Sequence, residues 1–242
     1  MEMDLSRITH PLRLAKGSHQ PGSGKGCAMN VISYINGDAH VTDFPACSAH
    51  PLSVLVQACN DLLAGPDGYL SPENAVLALE LAWQTVGTAD VADAVAHAWL
   101  AEMLTNPAWG VVKFARITAV KAIFDVAELH RAAASGDIPS IAAWDAADRA
   151  SRAVNTDPIT AGGYALRAAS ESTTAAGAVW LTADQVALYA MNAYALAAEG
   201  TTASRIVEFT RHAIRSWREL AGLDSAGADT PSRPERELQL VA

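Results

Sequence analysis

Cysteine and histidine side chains are concentrated near the start of the chain. Of the seven histidines and three cysteines, four histidines and two cysteines lie between residues 10 and 50. Cys27, His40, Cys47 and His50 follow the spacing C-x12-H-x6-C-x2-H. Thiolates and neutral imidazoles are the ligands that zinc prefers, and four of them complete a tetrahedral structural site. The spacing predicts that these four residues hold a structural zinc ion, which would order a turn-rich segment.

Cys27 also permits a different chemistry, in which its thiolate acts as a nucleophile. The residue would begin a helix, whose N-terminus lowers the pKa of a thiol, and His19 lies upstream on a glycine-rich arm as the base. Asn30 or Asp43 could orient the imidazole as the third member of such a site. Two further interpretations remain open: a metal-bound water at the same cluster, and an inert buried thiol with solvent-facing histidines.

One cysteine and two histidines further along the chain are interpreted as structural. Cys59 lies on the apolar face of a predicted helix, so we expect it in the core. His97 and His130 lie within predicted helices and have no ligand four residues on, so each is expected to be an ordinary helix residue.

The composition predicts a helical protein with a core of small side chains. Half of the residues are apolar and only 18% are charged, which excludes a disordered chain. Alanine, about one residue in five, has high helix propensity but buries little area, so the helices must approach closely. The six tryptophans fall roughly one to a helix and are expected to supply much of the core volume. We therefore predict an all-α fold, either an antiparallel bundle or an irregular αα stack, with a loop-rich N-terminal segment that carries the Cys and His residues.

Capping residues and prolines predict where the helices begin and end. The predicted helix starts are Pro51, Ser71, Thr88 or Asp90, Asn106, Ser140, Asp157 and Thr182, and the last helix covers about Ala203–Ala221. Helix ends are expected at Gly65, near Gly87 and before Gly136. The pair Gly162-Gly163 is expected to weaken the helix it opens.

The segment 28–43 has two interpretations. Asn36-Gly37 between β-branched residues is typical of a hairpin turn. Alternatively, residues 27–35 form a helix with Gly37 as its C-terminal cap. We favour the helix, with Val31, Ile32 and Ile35 facing inward. The chain then divides into an arm and Cys/His segment (1–50), an alanine-rich helical domain (51–221) and a flexible tail (222–242).

The net charge of −9 is unevenly distributed, because residues 27–112 contain nine acids and no lysine or arginine. Such a field favours a protein partner with a basic surface and makes nucleic acid an unfavourable partner, although it could serve solubility alone. Arginines 205, 211, 215 and 218 on the last predicted helix are interpreted as pairing with neighbouring acids. No apolar run is long enough to span a membrane and the first residues do not resemble a signal peptide, so we expect a cytoplasmic protein with no membrane contact.

Residues 17–61 carry a pattern beyond simple composition. The string reads GSH-x7-C-x-M-x3-SYI-x-G, then D-x-P-x-C, then a helix ending in Asn60-Asp61. It resembles a group of alanine- and tryptophan-rich helical proteins of actinobacteria and their phages. The matching positions are His19, Cys27, Met29, Gly37, Asp43, Pro45 and Cys47. Asn30 stands where the group has Glu and Phe44 where it has His, so chemistry at those positions would be lost here or taken over by His40 and His50.

These observations favour a non-enzymatic, all-helical interaction or structural protein. The resemblance implies a helical fold and a link to phages, but no activity. The alternative is an enzyme that uses Cys27 with His19, or a metal-activated water at the same cluster. A homodimer would also fit, because a chain with few bulky aliphatic side chains gains burial through self-association.

Overall fold

The computed structural model describes residues 13–19, 23–197 and 202–224. Within these ranges the chain forms two short strands, a 3-10 turn (Val111–Phe114) and nine α-helices. The elements are β1 (Arg13–Leu14), β2 (Lys25–Gly26), α1 (Ala28–Asn36), α2 (His50–Leu63), α3 (Pro72–Gln84), α4 (Asp93–Thr105), α5 (Ile117–Ser135), α6 (Ile141–Arg152), α7 (Ala161–Ser172), α8 (Ala175–Ala197) and α9 (Thr202–Leu220). The predicted all-α fold is confirmed.

Backbone pairing fixes the first described residues to the helices. β1 and β2 pair in parallel, with Arg13 opposite Lys25 and Leu14 opposite Gly26. The residue after β1, Ala15, also bridges Tyr69 in the loop that follows α2. This pairing places residues 13–15 beside Lys25 and Gly26, just before Cys27, and beside the loop that follows α2.

Helix α8 lies at the centre of the packing, in contact with α2, α4, α7 and α9. Much of its buried face is alanine, and Ala183, Ala187 and Ala190 are fully buried. Methyl groups on a helix face let the neighbouring backbones approach closely, which is the arrangement that the alanine content predicts. One continuous core extends from Leu14 to Trp217, so α1 and the helices after residue 51 share it.

The tryptophans do not all fill the core as expected. Trp99, Trp109, Trp144 and Trp217 are buried, and Trp180 is partly buried against the core. The indole of Trp99 donates to the carbonyl of Ala213 at 2.8 Å. Trp83 is different, because 58% of its surface is exposed. The prediction is therefore confirmed for the four buried tryptophans and wrong for Trp83.

Local capping signals predicted several helix boundaries correctly. Residues 28–36 are helical, and Gly37 ends α1 in a left-handed conformation with φ +79°, so the helical interpretation of this segment is confirmed. Ser71 and Ser140 cap α3 and α6, each accepting a backbone N–H at 3.2 Å. Ile32 is buried as expected, but the inward placement of Ile35 is wrong, because half of that side chain is exposed.

Two predicted helix starts are wrong, the one at Thr88 or Asp90 and the one at Asn106. Helix α4 is preceded by Ala92 and not by Thr88 or Asp90, since the Thr88 hydroxyl accepts the N–H of Ala49 at 3.0 Å. Asn106 does cap a turn, accepting the N–H of Ala108 at 2.9 Å. That turn does not continue as a helix, and α5 begins only at Ile117.

Two later starts are displaced by a few residues. Thr160, not Asp157, caps α7 by accepting the N–H of Gly163 at 3.1 Å. Thr182 does not begin a helix, because it lies buried inside α8 and its hydroxyl lies 3.0 Å from that of Thr174. Helix α8 is kinked at Ala178, so the chain turns just before the predicted start.

The glycine pair at the start of α7 permits close packing. A Cβ at Gly162 would lie 2.9 Å from the carbonyl oxygen of Phe114, and one at Gly163 would lie 2.1 Å from that of Asp157. Any side chain there would collide with backbone. The two glycines therefore seat α7 against the preceding loop and the 3-10 turn, a role that the sequence did not reveal.

Some predicted segments fall on residues that the structure does not describe. The predicted tail (222–242) is described only as far as Asp224, and residues 1–12 and 20–22 of the predicted arm also lie outside the described residues. Among the helices of the described ranges, none combines the length and the apolar character that a membrane span requires.

Candidate functional site

Cys27 lies at the start of α1, but its surroundings favour the neutral thiol. The side chain is fully buried, and Sγ donates to Oδ1 of Asp43 at 3.4 Å. The pKa of the Cys27 thiol is raised to about 12, mainly by burial. Backbone hydrogen bonds at the helix start lower this pKa, and the negative charge of Asp43 raises it. The expected net lowering of the Cys27 pKa is wrong, because the loss of hydration on burial outweighs the lowering at the helix start.

His19, the predicted base, is held by the arm itself. Its Nε2 lies 3.2 Å from the carbonyl oxygen of Ala15. No hydrogen bond among the described residues joins His19 to Cys27. Asn30 and Asp43, the residues expected to orient an imidazole, instead contact Cys27 directly.

The four predicted zinc ligands have different surroundings. Cys27 faces Asp43, and His40 is exposed. Cys47 is partly buried, with Sγ 3.9 Å from Oγ of Ser48. His50 contacts Asp184 on α8. Across residues 13–19, 23–197 and 202–224, no three His, Cys, Asp or Glu side chains are grouped so that they could hold a metal ion. Zinc binding by these residues stays a prediction.

The segment around Cys47 is attached to the end of α3. The carbonyl of Cys47 accepts the N–H of Gly87 at 2.8 Å. The hydroxyls of Ser48 and Thr85 lie 2.7 Å apart, and both side chains are buried. These bonds place the start of α2 on the α3–α4 loop.

His50 is held in one orientation by two neighbours. Its Nδ1 lies 2.8 Å from Oδ2 of Asp184, and its ring stacks on Phe44 with centroids 4.0 Å apart. Burial raises the pKa of the Asp184 carboxyl, and the hydrogen bond from His50 partly offsets this. A carboxylate on Nδ1 leaves Nε2 to face a ligand or a proton donor, the arrangement seen in metal-binding and acid–base histidines.

The residues of the sequence pattern form a hydrogen-bonded network that holds the arm, α1 and α2 together. We call Gly17, Cys27, Asn30, Asp43, Asn60 and Asp61 the N-terminal clasp. Asn60 is fully buried; it accepts the N–H of Ala28 at 3.2 Å and donates to the carbonyl of Ala15 at 3.0 Å. Its neighbour Asp61 accepts the N–H of Gly17 at 2.9 Å. Satisfied buried amides of this kind stabilise one packing arrangement.

Asn30 completes the clasp at the start of α1. Its Oδ1 accepts the N–H of Cys27 at 2.9 Å, and its Nδ2 donates to Asp43 at 2.8 Å. A Glu at this third helical position could make the first bond but has no N–H for the second. The amide therefore suits a site that already contains a carboxylate.

The partly buried His97 and the fully buried His130 form a pair that the sequence did not predict. Their Nδ1 atoms lie 3.0 Å apart, so one ring must donate and the other accept. His130 also packs edge-on against Trp144, with ring centroids 5.0 Å apart. The pKa of His130 is lowered to about 3, mainly by burial and to a smaller extent by the neighbouring His97. Burial also lowers the pKa of His97.

An apolar cleft lies between α1 and α3, and we call it the α1–α3 groove. It has a volume of about 520 Å³ and is lined by Val31, Ile32, Ile35, Val76, Leu79, Glu80, Trp83 and Gln84. Ile35, Val76 and Trp83 are each more than half exposed. Exposed large apolar side chains grouped in this way mark interaction surfaces.

A second, smaller cavity of about 250 Å³ lies between α2 and α8. Its lining mixes apolar side chains such as Val54 and Met191 with the polar groups of Gln57, Asp61 and Asn192. Asp61 already accepts a bond within the clasp, and the amide of Asn192 donates to the carbonyl of Leu188. The larger and more apolar α1–α3 groove is the stronger candidate site.

No protein-family model, curated protein or solved structure shows significant similarity to the chain. The candidate site therefore depends on the geometry described above. The α1–α3 groove was missed because α3 was expected to bury its tryptophan. A signal was present in the sequence, since Glu73, Val76, Glu80 and Trp83 recur every three or four residues and so share one face of α3.

Proposed function

We propose that this chain is a non-enzymatic, all-helical interaction protein that binds a protein partner through the α1–α3 groove. The observation that supports this most directly is the exposure of Trp83, 58% of whose surface faces solvent beside Ile35 and Val76. Tryptophan is enriched among the residues that dominate binding energy in protein interfaces. An exposed indole in an apolar cleft contributes little to the stability of the monomer, whereas its burial by a partner would stabilise a complex.

The surroundings of the predicted Cys/His residues favour a structural role over catalysis. A thiol whose pKa is about 12 carries almost no thiolate at neutral pH, and the thiolate is the nucleophilic form. The clasp uses Cys27, Asn30 and Asp43 to hold α1 in place. Since α1 forms one wall of the groove, the clasp maintains the shape of the proposed binding surface.

The zinc clip remains a secondary part of the proposal. His50 favours it, because Asp184 engages Nδ1 and thereby orients Nε2 as a ligand. Zinc binding by Cys27 would require its thiol to leave Asp43 and lose a proton. Zinc analysis of the purified full chain tests this: stoichiometric metal lost in a Cys47→Ser, His50→Gln variant supports the clip, and metal-free folded protein contradicts it. A phage origin and a cytoplasmic location stay predictions.

Affinity purification from cells that express the chain naturally tests the main proposal. We expect a partner that the parent protein retains and that a Val76→Ser, Trp83→Ser variant loses. The matched control is Ile141→Ser, Leu181→Ser, because these two side chains are at least as exposed but lie on α6 and α8. Circular dichroism must show the same helix content in all three proteins.

Two results would contradict the proposal. One is a partner bound equally by the groove variant and the parent, which would place the binding surface elsewhere. The other is a chemical activity of the purified parent that Cys27→Ser or His50→Gln abolishes without unfolding, which would favour the enzyme alternative.

A further inference from the structure

We infer that the occupant of the α1–α3 groove is an amphipathic α-helix that carries lysine or arginine beside its apolar face. This inference rests on the proposed function and names the chemistry of the partner. The shape of the groove, the charges along its wall and the position of the nearby arginine each contribute to it.

The shape of the groove suits a helix. Two helices form its walls, and a third helix packs its side-chain ridge into such a groove. On α3, the lining residues Val76, Leu79 and Trp83 are spaced i, i+3 and i+7, which spans about 10 Å at 1.5 Å per residue. Two turns of a partner helix present apolar side chains over the same length. Among the described residues that line the groove, only Glu80 and Gln84 have polar or charged side-chain ends, so a small polar ligand would find few partners.

The charged side chains of the two helices that form the groove are all acidic. Glu73 and Glu80 are exposed on the same face of α3 as Val76 and Trp83, so acids alternate with apolar side chains along that wall. A hydrogen bond from its own backbone N–H, and a second from Ser71, lower the pKa of the Glu73 carboxyl. Both walls belong to residues 27–112, which contain no lysine or arginine. A partner that alternates apolar and basic side chains would complement this wall.

Among the described residues, Arg218 on α9 donates its guanidinium N–H groups to the end of α3 and is already engaged there. Arg218 on α9 donates to the carbonyls of Gln84 and Val86, at 3.2 and 3.3 Å. It also binds Asp224 at 2.8 Å. Its charge is therefore compensated, and it stabilises the end of α3 without neutralising Glu73 or Glu80. A second copy of the same groove would bring acid against acid, so the charge disfavours a symmetric dimer through this face.

A titration of the full chain with a designed peptide tests the inference. The probe is a helical peptide of about 18 residues with leucines at i, i+3 and i+7 and flanking lysines, and its partner peptide has glutamate for every lysine. Tryptophan emission reports binding, because Trp83 is exposed and shifts to shorter wavelength when it is buried. Trp83→Phe confirms the source of the signal.

We expect the lysine peptide to bind at least about tenfold more tightly than the glutamate peptide. Glu73→Gln, Glu80→Gln should weaken the lysine peptide about tenfold and reduce its salt dependence, and Asp145→Asn on the exposed side of α6 should change neither. Trp83→Ser should weaken it more than about tenfold.

Several results would overturn the inference. These are equal affinity for the two peptides, no effect of the Glu73 and Glu80 substitutions, or self-association of the chain through the groove. Binding that appears only after removal of residues 225–242 would identify that segment as the occupant instead. If neither peptide binds but Trp83→Ser still abolishes capture of the native partner, the inferred helix chemistry is wrong and the proposed function stands. If neither peptide binds and Trp83→Ser leaves the capture unchanged, the inference and the proposed function are both wrong.

Discussion

The thiol of Cys27 donates a hydrogen bond of 3.4 Å to the carboxylate of Asp43, sixteen residues away. This contact keeps the proton on sulfur, because loss of the proton would place a buried thiolate beside a carboxylate. Cys27, which the sequence marks as a possible nucleophile, therefore acts as a hydrogen-bond donor and fills space in the core.

Alkylation rates test this interpretation. Iodoacetamide at pH 8 should modify the partly buried Cys47 well before Cys27 in the folded chain, because the pKa of Cys27 is about 12 and its side chain is buried. Mass spectrometry of timed samples measures both sites, and unfolding in urea should equalise them. Faster labelling of Cys27 would mean that its thiolate is accessible and would restore the nucleophile hypothesis.

A second prediction concerns the amide of Asn30. Asn30→Asp replaces a donor to Asp43 by a second carboxylate, so we expect the free energy of unfolding at pH 7 to fall by about 2 kcal/mol or more. Asn36→Asp is the matched control, because Asn36 donates to Asp38 in the same way on the exposed surface. Its effect should stay below about 1 kcal/mol. Equal losses in urea denaturation would show that the clasp has no special energetic role.

The pair of His97 and His130 predicts loss of stability in acid. Both folded-state pKa values lie below the ordinary value, so the unfolded chain binds protons first as the pH falls below about 6.5. His130 alone should cost about 2 kcal/mol between pH 6.5 and 5, at about 1.4 kcal/mol per pH unit.

Urea denaturation at several pH values measures this dependence. His130→Leu should flatten the curve between pH 6.5 and 5, whereas His40→Gln, at an exposed histidine, should leave it unchanged. If His130→Leu fails to fold, the same comparison with His97→Gln replaces it. An unaltered slope in the folded variant would mean that the pair does not stay neutral in the native state.

The glycine at the start of α7 gives a fourth prediction. Gly163→Ala should destabilise the fold by about 3 kcal/mol, because the new Cβ would lie 2.1 Å from a backbone oxygen. Gly177→Ala is the control: it lies in α8 with open space around its Cβ position, so its effect should be small and towards higher stability. Thermal unfolding measures both, and a harmless Gly163→Ala would argue against the close approach of α7.

Local signals explain what the sequence could predict. The helix ends at Ser71, Ser140 and Gly37 are each capped by a hydrogen bond to a residue three or four positions away. Their roles therefore follow from short-range sequence patterns. Thr88 carries the same kind of signal but binds Ala49, 39 residues away. Nothing near Thr88 in the sequence indicates that its hydroxyl accepts the N–H of Ala49.

The candidate sites depend on packing between elements that are distant in the sequence, which local patterns do not reveal. His97 and His130 are 33 positions apart in the sequence and meet only because α4 and α5 pack together. Trp83 has a large apolar side chain of the kind that is usually buried. It is exposed because it lies on the face of α3 that α1, α2 and α9 do not cover. The predicted zinc ligands are near one another in sequence, yet Asp43 and Asp184 engage two of them separately.

The most direct test of the α1–α3 groove is a ¹⁵N NMR titration of the full chain with the lysine peptide. The indole N–H signals of the six tryptophans serve as separate reporters distributed over the fold. We expect the signals of the Trp83 indole and of the backbone amides of residues 31–35 and 76–84 to shift, while the signals of Trp144 and α9 stay in place. Shifts centred on α9 or on the α2–α8 cavity, with Trp83 unchanged, would contradict it.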